Sequence, residues 1–273
     1  MGVSNRTLLY GEGLFETIKL PSTEERLKLH YERLKSSAEF FGIPCPSYEE
    51  FIKDCLLPVE EPTYLKFCLL SEGDDYYGGS LKTYQKLIIK KKLNLPKAPL
   101  SLKPSPYRRH SEDPLCKHKT TSYLFNVLVK KDALRDGFYD GIVINEREEV
   151  CETSSANLLF LKGSKFYTPA VECGRLEGTT LRLLKARIEV QEERIRVDRL
   201  KEFEGVFLLN ALIDCLPAQI SGTNLKVLPE VAEYIVKILK AGGVAELADA
   251  GDLKSPGENP REGSSPSTPT LKR

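Results

Sequence analysis

Five prolines fall between Asn94 and Lys117: Pro96, Pro99, Pro104, Pro106 and Pro114. Proline fixes φ and carries no amide hydrogen, so a run this dense predicts no regular element there. The 273-residue chain is thereby divided into two α/β units. The reading places a smaller N-terminal unit at 1–103, a linker at 104–117 and a larger, barrel-like unit at 118–240.

Upstream of the break, L-L-Y-G-E-G-L-F-E-T-I-K-L predicts a turn or short loop entering a strand. Gly11 and Gly13 mark where its backbone bends or is closely approached. A helix is predicted from Leu27 to Phe41, with Leu34, Ala38 and Phe41 on one face and Gly42 at its C-cap. Ser47 and Glu50 form a capping box for the next helix, which stops at Pro58. T-Y-L-K-F-C-L-L and Y-Q-K-L-I-I-K read as strands joined by G-D-D-Y-Y-G-G.

Downstream, an amphipathic helix is predicted from Thr121 to Arg135, ended by Gly137. G-I-V-I-N with V-C-E-T, and N-L-L-F-L with K-F-Y-T, predict two hairpins. Thr179 opens a helix, strands follow near R-I-R-V and at G-V-F-L-L-N, and a last helix spans Pro229 to Lys240. Residues 241–273 have no aromatic side chain and are rich in glycine, proline and small polar residues, which predicts a disordered tail. Their G-V-A-E-L-A-D-A-G-D-L-K-S-P-G resembles a translated bacterial leucine transfer-RNA gene, so the folded part is expected to end at Lys240.

The net charge of +1, without a basic block, gives no electrostatic footprint for nucleic acid. Apolar runs are too short to span a bilayer and no signal-peptide pattern opens the chain, so no membrane partner and a cytoplasmic location are expected. The seven cysteines are scattered without C-x-x-C, which predicts free thiols in a reducing compartment. Three histidines without neighbouring ligands predict no metal site.

Lys119 heads K-T-T-S-Y-L-F-N-V-L. V-C-E-T-S-S-A-N-L-L-F-L follows, then E-G-T-T-L-R. An amine, a carboxylate and a Gly-Thr-Thr turn in that order suit pyridoxal phosphate. The amine gives a Schiff base, the carboxylate of Glu152 keeps the pyridine nitrogen protonated, and the turn takes the phosphate. Strand alternation puts Glu152 on the face of Val150, which predicts burial. Thr179 and Thr180 offer backbone N–H groups and hydroxyls, though threonines there also serve as simple helix caps.

L-L-Y-G-E-G-L-F-E-T, H-Y-E-R-L, H-K-T-T-S-Y-L, V-C-E-T-S-S-A-N-L-L-F-L-K-G, and G-R-L-E-G-T-T-L-R with L-L-N-A-L stand in the order and spacing of a known family. Over roughly residues 6 to 240 the chain resembles the fold-type IV (class IV) pyridoxal-phosphate aminotransferases and lyases. The resemblance implies an α/β fold of the α+β type, with the two domains of D-amino-acid aminotransferase. It selects Lys119 over Lys117 as the Schiff-base lysine. It also implies Arg33 on the phosphate, Leu176 against the cofactor ring, Asn210 and Ala211 in the phosphate-side loop, and a homodimer. Arg109 is assigned to a substrate carboxylate; Tyr107 and Arg108 are equally placed for an interface.

Within the family, T-S-S-A-N after Glu152 and the Asn-Ala-Leu segment most resemble 4-amino-4-deoxychorismate lyase. That resemblance implies release of pyruvate and 4-aminobenzoate, which feeds folate synthesis. The alternatives are a branched-chain or D-amino-acid transaminase, or a silent cofactor-binding relative. The family usually begins with a further strand and has Asp where Glu12 stands, so an upstream start or a missing edge strand is expected.

Overall fold

The computed structural model describes residues 4–241, so the tail reading lies outside the described residues beyond Ala241. The first sheet contains β1 (Ser4–Asn5), β2 (Gly13–Leu20), β3 (Thr63–Gly73) and β4 (Leu81–Lys92). The helices α1 (Arg6–Tyr10), α2 (Glu24–Phe41) and α3 (Tyr48–Cys55) connect them. β4 runs antiparallel along all of β3, so β2 and β1 share the other edge of β3, at Thr63–Leu70 and Glu72–Gly73. Leu14 and Ile18 from β2 join Leu65 and Phe67 from β3 against Leu27, Leu34 and Phe51 of the helices. Fully burying a side chain of this kind contributes about 1.5–3 kcal/mol.

The helix boundaries follow their caps. Thr23 accepts from the Arg26 N–H at 3.3 Å and starts α2 ahead of the predicted Leu27. Gly42, at φ 68°, ends it as predicted. The Ser47–Glu50 capping box opens α3.

The second sheet contains β5 (Leu100–Arg109), β6 (Asp140–Asn145), β7 (Val150–Thr153), β8 (Asn157–Lys162), β9 (Lys165–Pro169), β10 (Val190–Glu193), β11 (Gly205–Asn210) and β12 (Asp214–Ile220). Three helices accompany it: α4 (Leu124–Arg135), α5 (Thr179–Lys185) and α6 (Pro229–Lys240). The strand order is β10-β9-β8-β11-β12-β5-β6-β7. Its two ends approach one another, because the Val150 N–H donates to the Ile195 carbonyl at 2.8 Å and the Val197 N–H to that of Glu148 at 3.0 Å. The sheet therefore curls. Leu158 and Phe160 point inward with Leu102, Ile142, Leu208 and Ile220. Leu159 and Leu161 alternate outward beneath Leu184 of α5 and Ile235 of α6.

Several expectations change here. The linker placed at 104–117 is a strand as far as Arg109, so the break between the sheets lies upstream, between Lys92 and Leu100. β5 and β12 pair only over Leu100–Leu102 and Ala218–Ile220. Pro104, Pro106 and Pro217 all lie beyond that overlap, where a strand edge has no partner and tolerates a missing N–H. The strand expected near R-I-R-V is instead Val190–Glu193, whose ladder with β9 ends at Pro169. Ile195 and Val197 then bond to the β7 side. The helix expected from Thr121 starts at Leu124, since the Thr121 hydroxyl and N–H bond Gly11 and Gly13 instead.

Candidate active site

A cavity of about 460 Å³ opens between the two sheets, lined by Lys119, Glu152, Arg33, Leu176, Thr179 and Ala211 among others. Lys119 reaches it on an extended segment fastened to β2. The Phe15 N–H donates to the Lys119 carbonyl at 3.0 Å, and the Thr121 N–H to that of Gly13 at 2.9 Å. The two glycines permit this approach: Gly11 has φ +68°, and a Cβ on Gly13 would lie 2.7 Å from Thr7 and 2.9 Å from Thr121.

The Lys119 ammonium lies 4.5 Å from the Phe15 ring centroid and 5.5 Å from that of Tyr123. It makes no hydrogen bond or ion pair among the described residues. Burial, and then the nearby Arg33 charge, pull this amine down to about 8 from 10.5. At pH 7 about a tenth of it is therefore unprotonated, far more than for an ordinary lysine. Lys117, the competing lysine, is exposed.

Glu152 on β7 is buried and points into the same cavity. Its Oε1 lies 2.5 Å from Arg109 Nη1. Its Oε2 accepts from the Leu176 N–H at 3.2 Å and from Asn157 Nδ2 at 3.4 Å. The assignment of Arg109 to a substrate carboxylate is therefore corrected. Its guanidinium is buried and bound to Glu152, it donates to the Gly174 carbonyl at 3.0 Å, and it sits 5.1 Å from the Phe125 centroid. A charge already paired in this way does not offer itself to an incoming carboxylate.

Gly178, Thr179 and Thr180 form the turn into α5. The Thr180 hydroxyl is buried with no hydrogen-bond partner among the described residues. Such an orphan costs about 1–3 kcal/mol unless a ligand satisfies it. Arg33 donates to the Glu177 carbonyl at 3.3 Å, which sets it against the same turn. Asn210 and Ala211 both line the cavity. The Asn210 side chain also closes the turn after β11, where its Oδ1 accepts from the N–H groups of Leu212 and Ile213 at 2.9 and 3.0 Å. The donor set as a whole fits a phosphorylated pyridine aldehyde: a free amine, a buried carboxylate, and an arginine against the turn that brings Thr179 into the cavity wall, while Thr180 lines an adjoining pocket.

Three participants were not singled out in the sequence. Asn157 ties Glu152 to the Leu176 carbonyl at 2.8 Å and accepts from the Gly178 N–H at 3.1 Å. Its signal was only its place in S-S-A-N. Glu16 and His30 hold Arg33 from behind. Among the described residues no cluster of three metal-ligating side chains occurs, and no helix is long and apolar enough to cross a membrane.

Residues 13–220 match the family model of amino-transferase class IV. The aminodeoxychorismate lyase of Bacillus subtilis is 25% identical over 226 residues, covering 77% of each chain. A probable branched-chain-amino-acid aminotransferase of Thermotoga maritima is 28% identical over 204 residues, covering 70% of each. Among solved structures, a provisionally named 4-amino-4-deoxychorismate lyase from Legionella pneumophila superposes with a TM-score of 0.78 at 25% identity. The match covers 88% of this chain and 94% of that one.

Proposed function

We propose a reaction for this chain from one premise: it belongs to the class IV aminotransferase family. That family comprises pyridoxal-phosphate enzymes, and the chain is read as a 4-amino-4-deoxychorismate lyase. The observation that carries this reading is the Asn210–Ala211–Leu212 turn at the cavity, closed by the Asn210 side chain, where the sequence resembles the lyases. Similarity to the Bacillus subtilis lyase over 77% of both chains supports it.

Lys119 would hold the cofactor covalently, Glu152 would keep a proton on its pyridine nitrogen, and Arg33 with the Thr179–Thr180 turn would take its phosphate. The bound cofactor supplies an electron sink for a carbanion. Lys119 would then be the base that takes the proton from the amine-bearing ring carbon. The C–O bond to the enolpyruvyl group would break with its electron pair going to oxygen, and return of that proton to the departing enolate would give pyruvate beside 4-aminobenzoate. The two carboxylates of such a substrate call for cations. Lys66 stands in the cavity wall, 4.2 Å from the Phe15 centroid, with no ion pair among the described residues.

The test is release of 4-aminobenzoate by the cofactor-loaded protein without any 2-oxo acid, beside Lys119→Ala. Release by the wild type alone supports the lyase. No release, with amino transfer to 2-oxoglutarate from branched-chain or D-amino acids, replaces it by the transaminase reading favoured by the Thermotoga maritima similarity.

A cytoplasmic homodimer completes the proposal. Leu8 is 84% and Tyr77 85% exposed, and such apolar surface suits a second copy of the chain. Light scattering giving a monomer mass would remove that part.

A further inference from the structure

Glu16 is a carboxylate in a register that calls for an apolar side chain. Leu14, Glu16 and Ile18 alternate onto the face of β2 that packs against α2, and Glu16 is 0% exposed. A buried carboxylate is tolerated only when it is fully paired. Its Oε1 accepts from Arg33 Nε at 2.8 Å, and its Oε2 from Arg33 Nη2 at 2.5 Å. His30 Nδ1 meets the same Oε2 at 2.6 Å. His30 and Arg33 stand three apart on α2, so one helical face delivers both to a single strand residue.

The protonation pattern follows from the surroundings. Burial works to raise the Glu16 carboxyl, but the Arg33 charge and the hydrogen bonds from Arg33 and His30 outweigh it and hold the group at about 2. Burial also lowers His30, which leaves a neutral imidazole. A neutral ring facing an ionised oxygen donates, so Nδ1 carries the proton. The guanidinium plane of Arg33 is thus fixed by a two-point pairing. Its unengaged N–H groups remain on Nη1 and Nη2, where Nη1 already touches the Glu177 carbonyl ahead of the Thr179–Thr180 turn.

We propose that Glu16, steadied by His30, is a positioning residue for cofactor phosphate, orienting Arg33 so that its free N–H groups meet the phosphate. This rests on the cofactor assignment and is independent of the choice between lyase and transaminase. Two effects of removing the Glu16 charge oppose each other. Simple electrostatics would strengthen anion binding, because one negative charge is lost beside Arg33. Loss of orientation would weaken it, because charge-assisted bonds depend on geometry.

The experiment compares binding of pyridoxal phosphate and of pyridoxal, which lacks the phosphate, to the cofactor-free full chain, followed by absorbance. In Glu16→Gln the affinity for pyridoxal phosphate is expected to fall about tenfold or more, while that for pyridoxal stays within about twofold. Tighter or unchanged binding of pyridoxal phosphate overturns the proposal, and so does an equal loss for both ligands, which marks a purely structural role. Failure of the wild type to bind pyridoxal phosphate removes the cofactor assignment itself. Should Glu16→Gln not fold, Glu16→Asp keeps the buried charge but withdraws it from Arg33, and the same selective loss is expected.

Discussion

Arg109 Nη1 lies 2.5 Å from Glu152 Oε1, both side chains only 9% exposed, and they are brought together from strands β5 and β7. The pair compensates a carboxylate buried in the cavity wall. It also leaves the Arg109 guanidinium engaged with Glu152 and the Gly174 carbonyl instead of turned toward an incoming carboxylate. Removing one partner of a buried pair leaves the other uncompensated. Arg109→Leu is expected to destabilise the protein by about 3–5 kcal/mol in urea unfolding and to depress kcat. Arg109→Leu combined with Glu152→Gln should recover most of that stability without recovering turnover. Additive losses in the double variant would contradict this coupling.

The approach of Lys119 to β2 gives a second expectation. Gly13→Ala introduces a methyl group 2.7 Å from the Thr7 side chain and 2.9 Å from the Thr121 hydroxyl. The segment bearing Lys119 must then shift. Overpacking of this kind costs about 1–3 kcal/mol, and the displaced amine should lower kcat more than stability alone predicts. Unchanged kcat in a folded Gly13→Ala protein would show that the fastening does not aim Lys119.

Much of this site was legible because its parts are local motifs. Lys119, Glu152 and the Gly-Thr-Thr turn are undistinguished singly but legible by their order and flanking residues, and folding brings Lys119, Glu152, Gly178 and Thr179 to one cavity. The role of Arg109 was not legible, because its partner lies 43 residues further along the chain. Glu16 did leave a trace. An acid between Leu14 and Ile18 interrupts an inward-facing register, and a core-facing acid implies a buried partner. In the fold, α6 was read from Pro229 to Lys240 as it stands. β5 and β12 were hidden by prolines, because whether a strand edge is free is a tertiary fact.

Lys66 supplies a third expectation. As a cation on the cavity wall without an ion-pair partner among the described residues, it suits a substrate carboxylate remote from the reacting carbon. Lys66→Met should raise KM for 4-amino-4-deoxychorismate about tenfold or more, while kcat changes less than threefold or so. A fall confined to kcat would instead place Lys66 at the chemistry.

The last expectation concerns the free energy of holding Lys119 ready. In the cofactor-free fold its amine sits at about 8, against 10.5 for an ordinary lysine. Below about pH 8 both folded and unfolded chains bind the proton, and the fold bears the full penalty of a buried charge. Between 8 and 10.5 only the unfolded chain binds it, so stability rises with pH across that window. Above it the penalty is gone. Lys119→Met lacks this group. The cofactor-free variant should be more stable than wild type at pH 7 by up to about 3 kcal/mol, with the difference shrinking toward pH 10.5. Comparing the two proteins cancels the other groups that titrate at high pH. Urea unfolding at pH 7, 8.5 and 10 measures it, and a difference that is flat or grows with pH would show that the amine is not held neutral by its surroundings. The same substitution is expected to abolish turnover, in which case stability is given up for a nucleophile at this one position.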